Sequence, residues 1–287
     1  MRREDEFEEA MPLDPRVERA IRWMRKHLPG ANPGLAALER ETTAGGTLIA
    51  GGLAYRLFLW LVPFGLVIAA VTSFWERADH EGLESSAEDF GLTAAAAETA
   101  TNAIEQGAHS RWYFLIFGLV LLQWFAMGVV RALRLAHRVA WGTPRKKLRR
   151  QIPAGVLFTL FATALIVVSA AAQWAREEVG AAGLIVTLLL VLVYAAGALW
   201  AMVLLPHRDA PWTALIPGAV LVGVGIQGLN LFTALYLAPK LGRSSQLYGS
   251  LGAATVILLW LYIIARLITL SAFLNATLWE RRRAVGA

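Results

Sequence analysis

The sequence predicts an all-α, polytopic membrane protein, with six transmembrane helices preceded by an N-terminal amphipathic elbow helix. Three observations predict it. The 287 residues are 57% hydrophobic and 17% charged, with a mean hydropathy of +0.52, too apolar to coat a water-soluble domain. Six stretches of 19 to 36 residues hold at most one formal charge each, and about 20 apolar residues cross the hydrocarbon core as a helix. Lys and Arg are shared unequally between the loops joining those stretches, as the positive-inside rule requires of a polytopic chain. The chain has no cysteine, so disulfides, thiolate metal sites and cysteine nucleophiles are excluded.

The N-terminal segment, residues 1–46, carries the elbow helix. Val17, Ala20, Ile21, Met24 and Leu28 recur at helical spacing, while Arg16, Arg19, Arg22 and Lys26 take another face beside Trp23. Such a helix docks on anionic headgroups or, equally, is solvated or docked on protein. Glu41 and Glu76 then bracket 34 residues broken only by Arg56, placing span one at about 47–75. It starts too late and runs too long for a cleavable signal peptide, whose apolar core is about 7–15 residues, so it is expected to stay in the mature protein. Loop 76–111 carries eight acidic residues, and its alanine-rich run from Thr93 to Ala103 predicts a helix. Arg111 and Arg131 bracket 19 uncharged residues, which with their helical flanks give span two at about 112–136. The remaining spans fall at about 152–175, 181–205, 212–238 and 247–278, the last interrupted only by Arg266, and a tail, 279–287, follows.

Orientation follows from the basic residues. Eight lie in residues 1–46 and eight in 131–150; with Arg208, Arg281, Arg282 and Arg283 they make twenty on one side against Arg77, Arg111, Arg176, Lys240 and Arg243 on the other. Both termini and the basic loop 138–150 are therefore expected in the cytoplasm, and loop 76–111 outside. Within that basic loop Arg145, Lys146, Lys147, Arg149 and Arg150 are candidate lipid-headgroup contacts, as are Arg16, Arg19, Arg22 and Lys26.

The runs GGLAYRLFLWLVP at 51–63, LPHRDAPWTALIPGA at 205–219 and YGSLGAATVILLWLYIIARLITLSAFLNA at 248–276 together resemble the YihY/BrkB family across essentially all spans. The family's first span typically reads Ala-Tyr-Tyr followed by a Ser-Leu-Phe-Pro-like turn. Here Ala54 and Tyr55 lead into Arg56, and Trp60, Leu61 and Val62 precede Pro63, so Arg56 and Trp60 are departures. The family's last span is matched by Tyr248, Gly249, Ser250, Trp260, Tyr262, Ala272 and Asn275, with Phe273 where the family usually has glutamate. The resemblance implies a bacterial inner-membrane protein of six helices, variously named ribonuclease BN, serum-resistance factor or envelope-integrity protein. Any mechanism needing that carboxylate is put in doubt by Phe273.

Arg56 and Arg266 are the most informative residues, because a charge inside a span costs at least about 2.5 kcal/mol unless it faces protein, water or a counter-charge. All 21 acidic residues lie outside the six apolar runs, so the counter-charge is expected from elsewhere. An anionic ligand with a phosphate or carboxylate is one source; carbonyls, water or snorkelling to headgroups are the others. Measured along the helices, the two arginines lie roughly 14 and 18 Å from the cytoplasmic ends of their spans, near mid-membrane. Beside Arg56, Tyr55 is a candidate contact, and Trp60 and Pro63 follow at i+4 and i+7; proline removes a helical hydrogen bond and either kinks the helix for packing or frees carbonyls to line a cavity. Tyr262 and Thr269 share the Arg266 face and add an aromatic and a hydroxyl to a candidate site.

Gly223, Gly225 and Gly228 spell G-x-G-x-x-G, yet no strand precedes them and no acidic residue follows about 20 positions later, which excludes a dinucleotide fold. Close helix packing suits them, and Gln227 and Asn230 are placed to hydrogen-bond between helices or line a cavity. The basic loop is explained by topology without nucleic acid. The five histidines lack metal-ligand spacing, and no Walker loop, G-x-S-x-G elbow or paired-carboxylate site is present in the spans, so no cofactor, metal site or catalytic residue is expected. Three readings follow. The first is a central cavity that binds or transports an anionic lipid through Arg56 and Arg266; the second is a non-transporting envelope scaffold; the third, least supported, is a ribonuclease. Expected partners are anionic membrane lipids, with a homo-oligomer or an envelope protein left open.

Overall fold

The structure, a computed structural model, describes residues 32–75, 111–144, 151–179, 183–233 and 238–285. The elbow helix with Arg16, Arg19, Arg22 and Lys26, the alanine-rich run 93–103 and the basic residues Arg145, Lys146, Lys147, Arg149 and Arg150 lie outside the described residues. Every described element is helical: α1 (Asn32–Thr43), α2 (Gly46–Trp75), α3 (Arg111–Trp141), α4 (Gln151–Val179), α5 (Gly183–Leu204), a 3-10 turn (Trp212–Leu215), α6 (Ile216–Phe232) and α7 (Ala238–Val285). Six helical segments are long and apolar enough to cross a membrane: Gly46–Val71, Leu115–Trp141, Gln151–Ala172, Ile185–Leu204, Trp212–Phe232 and Ala254–Ala284. Each of α2 to α7 packs against the next, and α7 closes the circuit by packing on α2 while also touching α3.

The helix ends have local causes. Pro33 sits in the first turn of α1, where a missing N–H costs nothing. Thr42 and Thr43 turn their hydroxyls back onto the carbonyls of Leu38, Glu39 and Arg40 in its last turn. Gly45 then takes φ +71°, a left-handed conformation open to glycine, and the chain reverses directly into α2. At the end of α3, Gly142 has φ +58°; its N–H bonds Val139 O and the Thr143 N–H bonds Arg138 O, the 5→2 and 6→1 pair of a Schellman motif.

The start of α6 is capped from a distance. Its own preceding residue, Leu215, supplies no side-chain cap. Instead Asn275 of α7 accepts the Gly218 N–H at 2.7 Å and donates to Leu215 O at 3.1 Å, both within the buried interior. Gly218 permits this approach, since a Cβ there would stand 2.5 Å from Asn275 Nδ2 and 2.6 Å from Ser271 O.

Two apolar clusters fill the bundle. One joins Leu53, Ala54, Trp60 and Phe64 of α2 to Leu122, Ala126 and Val129 of α3 and Leu261 and Ala265 of α7. The other joins Trp141 to Met202, Leu215, Ala219, Val222, Phe273 and Ala276. Phe273, at the position where the family resemblance implies glutamate, is therefore fully buried core. Two of the three glycines in the G-x-G-x-x-G run serve packing: a Cβ on Gly223 would meet Val191 O at 2.7 Å, and one on Gly225 would meet Leu267 at 2.8 Å, whereas Gly228 faces open space. The sixth span differs from expectation in length. A loop around Lys240 and Arg243 was expected before it, yet α7 runs unbroken for 48 residues, about 72 Å against a hydrocarbon core of about 30 Å.

Candidate anion sites around Arg56 and Arg266

The premise that neither intramembrane arginine has a carboxylate within the protein is corrected for Arg266. Its Nη1 donates to Glu41 Oε1 at 2.5 Å and to Thr47 Oγ1 at 2.8 Å. Glu41 lies before the first apolar run, and α1 brings it back by packing along α7. Leu35, Ala37 and Glu41 are the buried residues of α1, and the Glu41 side chain is 0% exposed where that of Arg266 is 27% exposed. A second ion pair runs alongside: Arg40 donates to Glu280 at 2.6 and 3.1 Å and to Ala140 O at 3.1 Å, at the exposed rim. Burial pushes the Glu41 carboxyl above the usual carboxylate range, outweighing the downward pull of the Arg266 guanidinium.

Arg56 has a different environment. Its Nη1 donates to Gly128 O of α3 at 2.8 Å, and the side chain is exposed on the flank of the bundle, as is Tyr55 beside it. The partners of the two arginines therefore differ in kind, a carboxylate for one and a backbone carbonyl for the other, and neither contact needs a bridging anion.

The residues expected around the arginines are distributed as follows. Trp60 is core, stacked on Phe64 with ring centroids 4.6 Å apart and edge-on to Phe158 at 5.3 Å; its Nε1 donates to Thr159 at 3.4 Å. Pro63 is buried within an uninterrupted α2. Tyr262 packs against the same core, and the Thr269 hydroxyl bonds back to Ala265 O at 2.8 Å, so neither reaches Arg266. Gln227 is buried with Oε1 unpartnered. Asn230 donates to the Tyr194 hydroxyl at 3.4 Å, and that hydroxyl lies 2.7 Å from Ser169 Oγ, a polar link across α6, α5 and α4. Among the described residues, an open apolar groove of about 420 Å³ lies on α3, lined by Tyr113, Ile116, Phe117 and Val120.

Glu41, Thr47, Asn275, Tyr194 and Ser169 are polar residues that sequence reasoning did not place in a site. Two of them carried a signal: Asn275 matches the family's last span, and around Glu41 Pro33 and the Gly45-Gly46 pair frame a helix in which Leu35, Leu38 and Glu41 recur every three residues.

The family model described as "Virulence factor BrkB" matches residues 37–286, from within α1 to just past the end of α7. The chain belongs to the BrkB family. Among curated relatives, a ribonuclease-like protein, YfkH, of Bacillus subtilis is 25% identical over 268 residues, covering 85% of this chain and 94% of that protein. A UPF0761 membrane protein of Stenotrophomonas maltophilia is 24% identical over 240 residues, covering 80% of this chain and 56% of its own length. Another, of Nitrosospira multiformis, is 26% identical over 256 residues, covering 82% and 58%. The chain thus spans most of the first relative and little more than half of the other two. No solved structure matches it. Membership in the BrkB family and the six apolar helices make this a multi-pass membrane protein.

Proposed function

We propose that this BrkB-family protein binds an anionic lipid or amphiphile at the bundle flank, in the bacterial cytoplasmic membrane and in support of envelope integrity, without catalysing a reaction on it. The observation that carries the reading is Arg56. It lies ten residues into α2, about 15 Å along the helix, exposed and with one carbonyl as its hydrogen-bond partner among the described residues. A guanidinium has five donors, and leaving the others unmet in hydrocarbon costs several kcal/mol. The oxygens of a phosphate headgroup satisfy them in a fork geometry. The packing around Trp60 favours a lateral site over a central cavity, and movement of the bound lipid between leaflets is an extension of this reading.

The scaffold reading has its own observation, since Arg266 is occupied by Glu41 and the neighbouring interior is packed. Native mass spectrometry with lipid identification on detergent-extracted protein separates the two. Arg56→Lys keeps charge without the fork and should retain less anionic lipid than wild type, with Arg56→Gln retaining least. Equal retention in all three proteins leaves the scaffold. Orientation, with both termini cytoplasmic, is tested on this cysteine-free chain by single-cysteine labelling: position 90 should react from outside and position 146 should not.

A further inference from the structure

At the junction of α1 and α2 the chain has built the surroundings of an anion and placed its own carboxylate among them. Glu41 is fully buried, with Oε1 on Arg266 Nη1 at 2.5 Å and Oε2 buried without any hydrogen-bond partner. The same Nη1 holds Thr47 Oγ1 at 2.8 Å. The carboxylate side chain lies against the first residue of α2, where a Cβ on Gly46 would stand 2.5 Å from Glu41 Cγ, so the position accepts only glycine while Glu41 is there. In the first turn of the 30-residue α2 the Leu48 and Ile49 N–H groups bond Gly45 O, which leaves those of Gly46 and Thr47 without an acceptor among the described residues, at the positive end of the helix dipole. A guanidinium, a hydroxyl and a helix N-terminus are the parts from which phosphate sites are made. Glu41 uses them poorly. A buried pair is well compensated only when both oxygens are hydrogen-bonded, and here one is not.

We propose that Arg266, Thr47 and the first turn of α2 form a binding site for a phosphate-type oxyanion, borne by a phospholipid headgroup or free, and that Glu41 is its internal occupant, which must be neutralised or displaced before the ligand binds. This extends the anion-binding reading from Arg56 to a second site to which Arg56 does not contribute, so the failure of either leaves the other standing.

The charges around Glu41 are accounted for as follows. On α1, Glu39 lies two residues before it, and Arg40 turns away to Glu280 and Ala140 O. On α7, Arg266 faces it and Glu280 is held by Arg40. On α2 the nearest charged residue in sequence is Arg56, which bonds α3. Arg266 is therefore the cation that any change in Glu41 releases. Because burial raises the Glu41 carboxyl, acidification neutralises this occupant before it neutralises an exposed glutamate.

The test uses the full chain in phosphatidylcholine nanodiscs, with sulfate as probe because its charge is constant across the range used. Glu41→Gln keeps the shape of the occupant without its charge. It should bind sulfate at least about tenfold more tightly than wild type at neutral pH, a difference of about 1.4 kcal/mol. Glu41→Gln/Arg266→Gln should abolish the gain. In wild type, sulfate binding should strengthen as pH falls from about 8 to about 5, and in Glu41→Gln it should stay flat across that interval. The wild-type series stands by itself if the variant does not fold. In discs containing phosphatidylglycerol, competition with sulfate in Glu41→Gln assigns the site to a headgroup, and unchanged sulfate affinity assigns it to a free oxyanion. Sulfate binding that is equal in wild type, Glu41→Gln and the double variant, and independent of pH, overturns the proposal.

Discussion

Arg266 and Arg56 sit in apolar runs of similar length, yet the two regions around them solve the same problem differently. At the α1–α7 junction Arg266 has partners within the chain: Glu41 and Thr47 take its Nη1, and Arg40 alongside holds Glu280. On the α2–α3 flank Arg56 has the Gly128 carbonyl and an open side. The first arrangement is a folded-in counter-charge, whose loss leaves a buried ion behind. The second leaves the guanidinium dependent on something the bundle does not supply. Counting charges per span treats these residues as equivalent. Their partners separate an arginine already paired with a carboxylate of its own chain from one whose remaining donors face outward.

The largest effect expected from this contrast is at Arg266. Arg266→Gln strands the Glu41 carboxylate in the interior, and breaking a buried pair from one side costs about 3–5 kcal/mol, read as a loss of thermal stability in detergent. The loss should shrink on acidification. The folded-state carboxyl is raised above its unfolded value, so the folded protein holds that proton more tightly. The stability it contributes is present below the unfolded value, about 4.3, and is lost as pH rises through the folded one. Glu41→Gln should accordingly be far milder than Arg266→Gln. Equal losses at both positions would make the ion pair, rather than the buried carboxylate, the quantity that matters.

Next in size is Asn275, the other buried polar side chain that joins α7 to a neighbouring element. Asn275→Ala leaves the Gly218 N–H and Leu215 O without their side-chain partner in the interior, and a buried group left unsatisfied costs about 1–3 kcal/mol. Gly218→Ala should cost at least as much, because its Cβ meets backbone at Ser271 O as well as the Asn275 amide. Thermal unfolding of both variants checks the order.

The six spans were legible because each apolar run reaches about the length a bilayer crossing needs, a property that tertiary contacts cannot disguise. The unbroken α7 was not legible. Lys240 and Arg243 mark a break in hydropathy, but charged residues are good helix formers, so the backbone continues through them. Glu41 was misread for a related reason. It lies outside the apolar run in sequence, and only the left-handed turn at Gly45 and the packing of α1 on α7 return it to Arg266. The glycine run divides in the same way, with Gly223 and Gly225 against neighbouring helices and Gly228 open. Periodicity marks which residues can share a face, while the neighbour they meet is set by topology.

A smaller effect is expected at the rim. Arg40 and Glu280 form a bidentate pair, but their side chains are 33% and 45% exposed. Solvent screening holds such pairs to about 0.2–1 kcal/mol. A double-mutant cycle on Arg40→Ala and Glu280→Ala should fall in that range and weaken with salt. A coupling comparable to that at Arg266 would mean that α1 is held by its rim and not by its buried carboxylate.

The smallest change in stability is expected at Arg56, and its sign is the sharper test. Gly128 O belongs to a helical backbone ladder that persists without the guanidinium, so Arg56→Leu strands no buried partner. It also removes from the span a charge that disfavours membrane insertion by about 2.5–3.5 kcal/mol. If Arg56 serves only a ligand, Arg56→Leu should be neutral or slightly stabilising in detergent stripped of lipid, and the stabilisation that added anionic lipid gives wild type should vanish. A loss of stability above about 1 kcal/mol in the stripped protein would mean that the Gly128 contact holds α2 to α3. Arg56 would then be committed to an internal contact as Arg266 is to Glu41, and the contrast between the two regions would disappear.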